Sequence, residues 1–98
     1  MFIKIHNSYR RVVAICDSEL LGKKFVEGKK QLDVRESFYN GEKYDEERIA
    51  EMMLKYKSDD ATFNIVGERA VNLGIETGII CEGNVGEVDG VKFALVLL

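Results

Sequence analysis

Two segments of this chain are apolar on both of the faces that a β-strand presents, and they set the strongest limit on its fold. Residues 12–16 read Val-Val-Ala-Ile-Cys, and residues 91–98 contain a single polar side chain, Lys92. A strand with one wet face alternates apolar and polar side chains, whereas a strand covered on both faces does not. Both segments are therefore predicted to be inner strands of a sheet.

Turn signals indicate that the strands pair mostly in antiparallel fashion. Residues 2–6 and 11–16 are rich in β-branched side chains and are joined by a short polar connection, which favours a hairpin. The dipeptide Asp89-Gly90 is typical of the turn of a second hairpin, which ends in the last predicted strand. The sequence does not determine the order of the strands.

The clearest helical pattern covers about residues 45–57. Its apolar side chains recur at the i, i+3, i+4 and i+7 spacing of one helix face, at Ile49, Met52, Met53 and Tyr56. Asp45 is suited to the N-cap, and the charges in the first and last turns complement the helix dipole. An amphipathic helix is predicted here.

A second helix is predicted over residues 61–77, ended by Gly78. Residues 62–66 are also compatible with an extended segment. Gly67 and Gly74 each disfavour a helix by roughly 1 kcal/mol relative to alanine. Close packing of this element against a sheet would explain both glycines.

The segment between the first hairpin and the amphipathic helix is less regular. A short helical turn is predicted over residues 19–21, N-capped by Asp17 or Ser18 and ended by Gly22. A further strand is predicted somewhere within residues 31–39. The connection between that turn and this strand is predicted to be flexible.

Together these elements predict an α+β fold, a two-layer sandwich in which a mostly antiparallel sheet carries the two main helices on one face. The 98 residues contain no proline and no low-complexity linker, so one domain, 1–98, is expected. The N-terminus lacks the apolar core of a signal peptide. The longest apolar run, 93–98, is far below the roughly 20 residues that cross a bilayer. A cytoplasmic protein is expected, with no membrane partner.

Cys16 and Cys81 are far apart in sequence and show no paired-ligand spacing. Two thiols alone cannot build a tetrahedral thiolate zinc site. Both are predicted to be reduced core thiols, although a disulfide remains an alternative if the fold brings them together. No metal and no cofactor are predicted.

Four lysines stand in two adjacent pairs within a chain that is acidic overall. Residues 20–35 carry a net charge of +3, whereas the rest of the chain sums to −6. A local positive field of this kind can attract polyanions. The predicted nucleic-acid contacts are Lys23, Lys24, Lys29, Lys30 and Arg35 to phosphates, with Phe25 and Tyr39 as rings for base stacking. The structural alternative is a solvated loop whose lysines protect a strand edge.

The position of Lys23 directly after Gly22 suggests a phosphate-binding loop only superficially. Such a loop needs a glycine five positions before this one and a hydroxyl side chain after the lysine. Those positions hold Asp17 and Lys24. A phosphate-binding loop is therefore excluded.

Two small clusters remain as candidate sites. Asp17, Glu68 and Arg69 are predicted as possible ligand-binding groups, or as an ion-paired arrangement that holds two layers in register. His6 and Cys16 would approach Asp17 only if the first two strands pair suitably, which would create an activated thiol or a metal site. A histidine at a strand end is more often a surface residue or a satisfied one. No catalytic residue is predicted.

Three stretches together resemble an archaeal family called domain of unknown function 424. They are CDSELLGKKFVEG at 16–28, FYNG at 38–41 and NIVGERAV at 64–71. The resemblance covers almost the whole chain and implies a small two-layer α+β protein that binds RNA or works near translation. The family has a proline and a histidine after the Gly-Val of its last hairpin, whereas here Lys92-Phe93 follow, so a function of that histidine is not expected.

The leading hypothesis is a non-enzymatic module that binds RNA or associates with the ribosome. One alternative is a small-molecule-binding protein or an enzyme centred on Asp17, Glu68 and Arg69. Another is a structural homo-oligomer subunit that pairs through an exposed apolar strand edge.

Overall fold

The computed structural model describes residues 1–97 and shows a six-stranded sheet, a separate two-stranded hairpin and three α-helices in that range. The strands are β1 (Phe2–His6), β2 (Val12–Cys16), β3 (Lys24–Glu27), β4 (Lys30–Asp33), β5 (Glu42–Lys43), β6 (Thr62–Val66), β7 (Gly86–Val88) and β8 (Val91–Val96). The helices are α1 (Glu36–Tyr39), α2 (Glu46–Ser58) and α3 (Glu68–Glu76), with 3₁₀ turns at Ser18–Leu20 and Glu82–Asn84. Leu98, the end of the last predicted strand, lies outside the described residues.

The sheet has the strand order β5-β1-β2-β6-β8-β7, and it is antiparallel except for the parallel pair β2–β6. Strands β2 and β8 each have a neighbour on both sides, which confirms that they are inner strands. The four residues from Val13 to Cys16 have no exposed surface. Both predicted hairpins are confirmed, β1–β2 and β7–β8.

One face of the sheet is covered by α2 and α3, as predicted. Side chains of alternate strand residues, such as Ile15 and Ile65, pack there against Ile49 and Met53 of α2. Helix α2 begins where its sequence predicts, because the Asp45 side chain accepts a hydrogen bond from a backbone N–H in the first turn. The α+β class is thereby confirmed, with a mostly antiparallel sheet and both main helices on one side.

The opposite face of the sheet carries a second, smaller core. Cys16 and Val66 point to this side, where Phe25 of β3, Leu32 of β4 and Tyr39 of α1 pack over them. The β3–β4 hairpin and α1 therefore form a partial third layer, in addition to the two layers that the sequence predicts.

The prediction of one helix over residues 61–77 is wrong in its first half, and the extended alternative for residues 62–66 is correct. Strand β6 occupies that segment, and its side chains alternate between the two cores. Gly67 follows with φ +110°, a conformation outside the helical region, so α3 begins at the next residue. Gly74 lies inside α3, where an added Cβ would stand 2.4 Å from Ile80. Close packing is thus the reason for this second glycine.

Three shorter predictions need correction. A strand does lie within residues 31–39, but β4 begins one residue earlier, at Lys30, and already ends at Asp33, and α1 follows it. The predicted turn forms at Ser18–Leu20, but no side chain caps it, because Asp17 is directed to another helix. Cys16 is buried as expected, whereas Cys81 is exposed, and both thiols are free.

Candidate nucleic-acid interface

The two lysine pairs lie on an ordered β-hairpin rather than on a flexible connection. We call the segment from Lys23 to Asp33, which contains β3 and β4, the lysine hairpin. Its base is closed by two backbone hydrogen bonds, from Gly22 N–H to Val34 O at 2.7 Å and from Val34 N–H to Lys23 O at 2.8 Å. The connection between its strands needs Gly28, whose φ is +61°. The lysines are therefore held on a defined backbone.

The inner face of the lysine hairpin anchors it to the protein. Phe25 and Leu32 are opposite each other in the strand register, and both pack into the second core. Near the turn, the Glu27 carboxylate accepts a hydrogen bond of 2.6 Å from the backbone N–H of Asp89, in the β7–β8 turn. These contacts fix the orientation of the hairpin relative to the sheet.

All four lysines of the hairpin are exposed, and in the part of the chain that the structure describes none of them forms an ion pair. The register places Lys24 opposite Asp33 and Lys30 opposite Glu27. Residues that are opposite each other in the register share a face, so Lys30 lies on the face of Glu27. Side chains alternate along a strand, so Glu27 and Lys24, three positions apart in β3, point to different faces. Lys24 and Lys30 therefore lie on different faces of the hairpin. Lys29 stands at the turn. The lysines are thus not confined to one face of the hairpin.

The acidic residues of the hairpin are already engaged by other groups. Glu27 accepts the Asp89 N–H described above, and Asp33 pairs with Arg35 at 3.2 Å. Arg35 itself is exposed, but its charge is shared with that carboxylate. The lysines therefore carry most of the positive charge that a polyanion would meet.

The prediction that Tyr39 offers a stacking surface is wrong. Its side chain is 6 % exposed, because α1 inserts it into the second core beside Cys16. Burial raises the pKa of the Tyr39 hydroxyl to about 12. Phe25 is half-buried under the hairpin, so it presents at most part of its ring to a base. The lysine hairpin has cations but no freely accessible aromatic face.

Arg11, at the end of the β1–β2 turn, does not extend this basic surface. Arg11 pairs with Asp59 at 3.3 Å, and its guanidinium lies 5.7 Å from the ring centre of Tyr56 in α2. That contact is on the helical side of the sheet, whereas the lysine hairpin lies on the other side. The two basic regions are separate.

The Asp17 carboxylate has a structural role at the start of α3. It accepts hydrogen bonds from the backbone N–H groups of Arg69 at 3.1 Å and Ala70 at 2.8 Å. Gly67 is the N-cap residue of α3 and has no side chain that could accept these hydrogen bonds. The Asp17 carboxylate, which directly follows the parallel strand β2, takes the place of an N-cap side chain. A Cβ at Gly67 would stand 2.4 Å from the Asp17 carboxyl carbon. We call this pair of residues, with the N–H groups they serve, the Asp17–Gly67 junction.

Burial dominates the electrostatics of the Asp17–Gly67 junction. It raises the pKa of the Asp17 carboxyl, and the two N–H donors oppose that shift. Burial also raises the pKa of the adjacent Cys16 thiol to about 12, with the Asp17 charge as a further cause. The Cys16 thiol is therefore held protonated, which is the opposite of an activated nucleophile.

The predicted ligand cluster of Asp17, Glu68 and Arg69 is only partly assembled. A small pocket of about 150 Å³ is lined by Asp17 and Arg69 but not by Glu68. The Arg69 guanidinium pairs with Glu46 of α2 at 2.7 Å and stays exposed. The Asp17 oxygens already accept hydrogen bonds from the backbone N–H groups of α3. The structure therefore uses this cluster to join α3 to the sheet and to α2.

The histidine does not meet the buried thiol. His6 pairs with Val12 at one end of the β1–β2 hairpin, and Cys16 pairs with Phe2 at the other end. The His6 ring stacks on Phe38 at 4.5 Å, and its Nε2 donates to the Phe38 carbonyl at 2.8 Å. Within residues 1–97 there is no group of three or more side chains arranged to hold a metal ion.

One exposed aromatic residue is not among the site residues predicted from the sequence. Tyr9, in the β1–β2 turn, is fully exposed. In the sequence, a lone tyrosine between polar residues is compatible with a ring packed against the protein and with a ring exposed to solvent. A ring flanked by Ser8 on one side and by Arg10 and Arg11 on the other is the sequence signal that could have marked it.

The comparisons with known proteins establish the family and stop there. The model of a family described as "Protein of unknown function (DUF424)" matches residues 5–98, so the chain belongs to that family. Among solved structures, the chain is similar to an uncharacterised conserved protein from Methanopyrus kandleri, with a TM-score of 0.84 and 27 % identity over 98 % of this chain and 90 % of that one. No curated protein matches the chain. None of the helices formed by residues 1–97 has the length and apolar character needed to cross a bilayer.

Proposed function

We propose that this member of the DUF424 family is a non-enzymatic binding module that contacts the phosphate backbone of RNA, free or in the ribosome, through its lysine hairpin. The observation that carries the proposal is the state of its four lysines, which are exposed, form no ion pair within residues 1–97 and stand on a hairpin anchored to the core. The action is proposed to take place in the cytoplasm, where free thiols such as Cys16 and Cys81 persist.

The charge distribution favours a polyanion over a single small anion. The lysines lie on both faces and at the turn of a narrow ribbon, so they cannot converge on one phosphate group. A chain of phosphates can pass along such a ribbon and meet the ammonium groups in succession. Each contact releases counterions from the nucleic acid, which is the main source of affinity in this mode of binding.

The test is the salt dependence of RNA binding by the wild type and by a variant without the hairpin charges. We expect a log–log slope near −3 for four contacts to a single strand, at roughly 0.7 per phosphate. The variant should bind about 100-fold more weakly at low salt, with a slope near zero. It carries the substitutions Lys23→Gln, Lys24→Gln, Lys29→Gln and Lys30→Gln.

A second variant removes the same amount of charge elsewhere on the surface. It carries Lys43→Gln, Arg48→Gln, Lys55→Gln and Lys57→Gln, all at exposed positions of β5 and α2. This control should keep at least most of the affinity and the slope of the wild type. Equal losses in the two variants, or wild-type binding that the hairpin substitutions leave unchanged, would refute the lysine hairpin as the RNA contact.

A further inference from the structure

The side chain of Tyr9 is the most exposed large apolar group among residues 1–97. Its exposure is 108 % of the reference value, so no other side chain of the described residues covers it. It lies in the turn between β1 and β2, and the Ser8 hydroxyl donates to the Arg10 carbonyl at 2.7 Å within that turn. The ring is therefore open to solvent at this turn.

Three other tyrosines of the chain have contacts that explain their presence. Tyr39 is buried in the second core, the Tyr44 hydroxyl bonds to Glu42, and the Tyr56 ring lies beneath Arg11. For Tyr9, by contrast, the described residues provide no hydrogen bond, ring contact or cation contact. Among residues 1–97 no contact assigns this ring a role in the fold, and its exposed face is accessible to a partner.

The surroundings of Tyr9 match the chemistry of an unpaired nucleobase with its phosphate. A tyrosine face stacks on any base, and neighbouring arginines supply charge for the attached phosphate. Arg10 and Arg11 directly follow Tyr9 and are both exposed. Arg11 keeps 45 % of its side chain exposed although it pairs with Asp59. The turn thus offers the accessible ring that the lysine hairpin lacks.

We infer that Tyr9 is a stacking platform for an unpaired base of the RNA whose phosphates contact the lysine hairpin. This inference rests on the proposed function. Tyr9 lies at the start of β2, whereas the turn of the lysine hairpin bonds to Asp89 beyond the other end of that strand. Five strand residues span roughly 17 Å. The ligand is therefore a single strand, or a stem with an unpaired extension, that reaches along one full strand of the sheet.

The natural chain contains no tryptophan, so Tyr9→Trp introduces a single fluorescent reporter at the proposed contact. Titration with a single-stranded RNA of about 12 nucleotides, within the usual site size, should quench its fluorescence as the base stacks. Glu47→Trp is the matched control, because Glu47 is exposed in the first turn of α2, about 18 Å along that helix from Asp59, the partner of Arg11. Its fluorescence should not change. Equal quenching of both reporters, or none at Tyr9→Trp under saturating RNA, would overturn the inference.

Affinity measurements separate stacking from charge. Tyr9→Ala should weaken binding of the single-stranded probe by about 5- to 150-fold, whereas Tyr9→Phe should keep wild-type affinity because the ring remains. A blunt duplex of the same sequence should bind both variants equally. If lysine-dependent binding persists and Tyr9→Ala is equivalent to the wild type, the Tyr9 inference alone fails. If the wild type binds no RNA, or the lysines have no effect, the proposed function itself fails.

Discussion

The Asp17–Gly67 junction and the lysine hairpin both contain charged side chains beside glycines with positive φ, yet they are opposites in how those charges are used. At the junction the Asp17 carboxylate is buried, and both of its oxygens accept hydrogen bonds from backbone N–H groups of α3. On the hairpin the lysine ammonium groups are exposed and have no ionic partner among residues 1–97. A charge whose bonds are satisfied inside the protein supports the fold. A charge left in water is available to a ligand.

The same contrast extends to the two glycines. Gly67 has φ +110°, and the Asp17 carboxyl carbon lies 2.4 Å from the position of an added Cβ. Both the backbone conformation and the packing therefore require glycine at this position. Gly28, in the turn of the lysine hairpin, has φ +61° and no atom within 4 Å of the Cβ position. Glycine is favoured there only by the backbone conformation of the turn, and not by packing. The sensitivity of a position to substitution should therefore follow its packing and not its dihedral angle alone.

The largest effect is expected for Gly67→Ala. Strain in a region open essentially to glycine, together with a Cβ 2.4 Å from Asp17, should lower the free energy of unfolding by about 4 kcal/mol. Gly28→Ala is the comparison variant, and it should cost about 1 kcal/mol, the penalty of a left-handed alanine. Urea unfolding of the two variants measures the difference. Equal losses would show that packing at the junction is looser than described.

Removing the carboxylate should have the next largest effect. Asp17→Ala leaves the N–H groups of Arg69 and Ala70 without an acceptor and should destabilise the protein by about 2 kcal/mol. Asp17→Asn keeps one acceptor oxygen and should cost less. Both values come from urea unfolding at neutral pH. A loss within error for Asp17→Ala would mean that water replaces the carboxylate at the helix start.

The pH dependence of stability, compared between the wild type and Asp17→Asn, tests the direction of the Asp17 pKa shift. Burial raises the pKa of Asp17 in the folded state, so the protonated form is the one that folding favours. This contribution is complete below the ordinary pKa of an aspartate and is lost as the pH rises through the folded-state pKa. The stability of the wild type relative to Asp17→Asn should therefore fall across that acidic window and level off above it. A rise across the same window would contradict the assignment of burial as the main cause.

The smallest effect on stability is expected at the lysines. Replacing Lys23, Lys24, Lys29 and Lys30 together by glutamine removes no ion pair found among the described residues, so the free energy of unfolding should change by less than about 0.5 kcal/mol per site. Chemical denaturation at moderate salt measures this. A large loss would assign the lysines a role in the fold, and the loss of RNA binding by that variant could then not be attributed to charge.

Local patterns in the sequence were sufficient wherever the deciding contacts are local. The spacing of Ile49, Met53 and their neighbours predicts α2, and its Asp45 cap is found as expected. Apolar runs predict the inner strands β2 and β8, and Asp89-Gly90 predicts the turn between β7 and β8. Each of these depends on residues within one element or one turn.

The predictions failed where distant residues decide. Residues 62–66 mix the polar Thr62 and Asn64 with apolar neighbours, so helical spacing and an extended strand both fit the sequence, and pairing with β2 decides between them. The donors bound by Asp17 lie more than fifty residues further along the chain. Tyr39 is removed from the candidate interface because α1 packs it against Cys16, which no spacing in the sequence reveals.

The parallel pairing of β2 with β6 has a consequence for how the chain reaches its native state. Strands β1 and β2 are joined by a short turn, as are β7 and β8, so these hairpins can close early and independently. The β2–β6 pair instead closes a loop of residues 17–61, which includes the lysine hairpin and α2. Closing so long a loop costs entropy before the new contacts compensate. We expect the late, rate-limiting event of folding to be the joining of the N-terminal hairpin to the C-terminal half at this single seam.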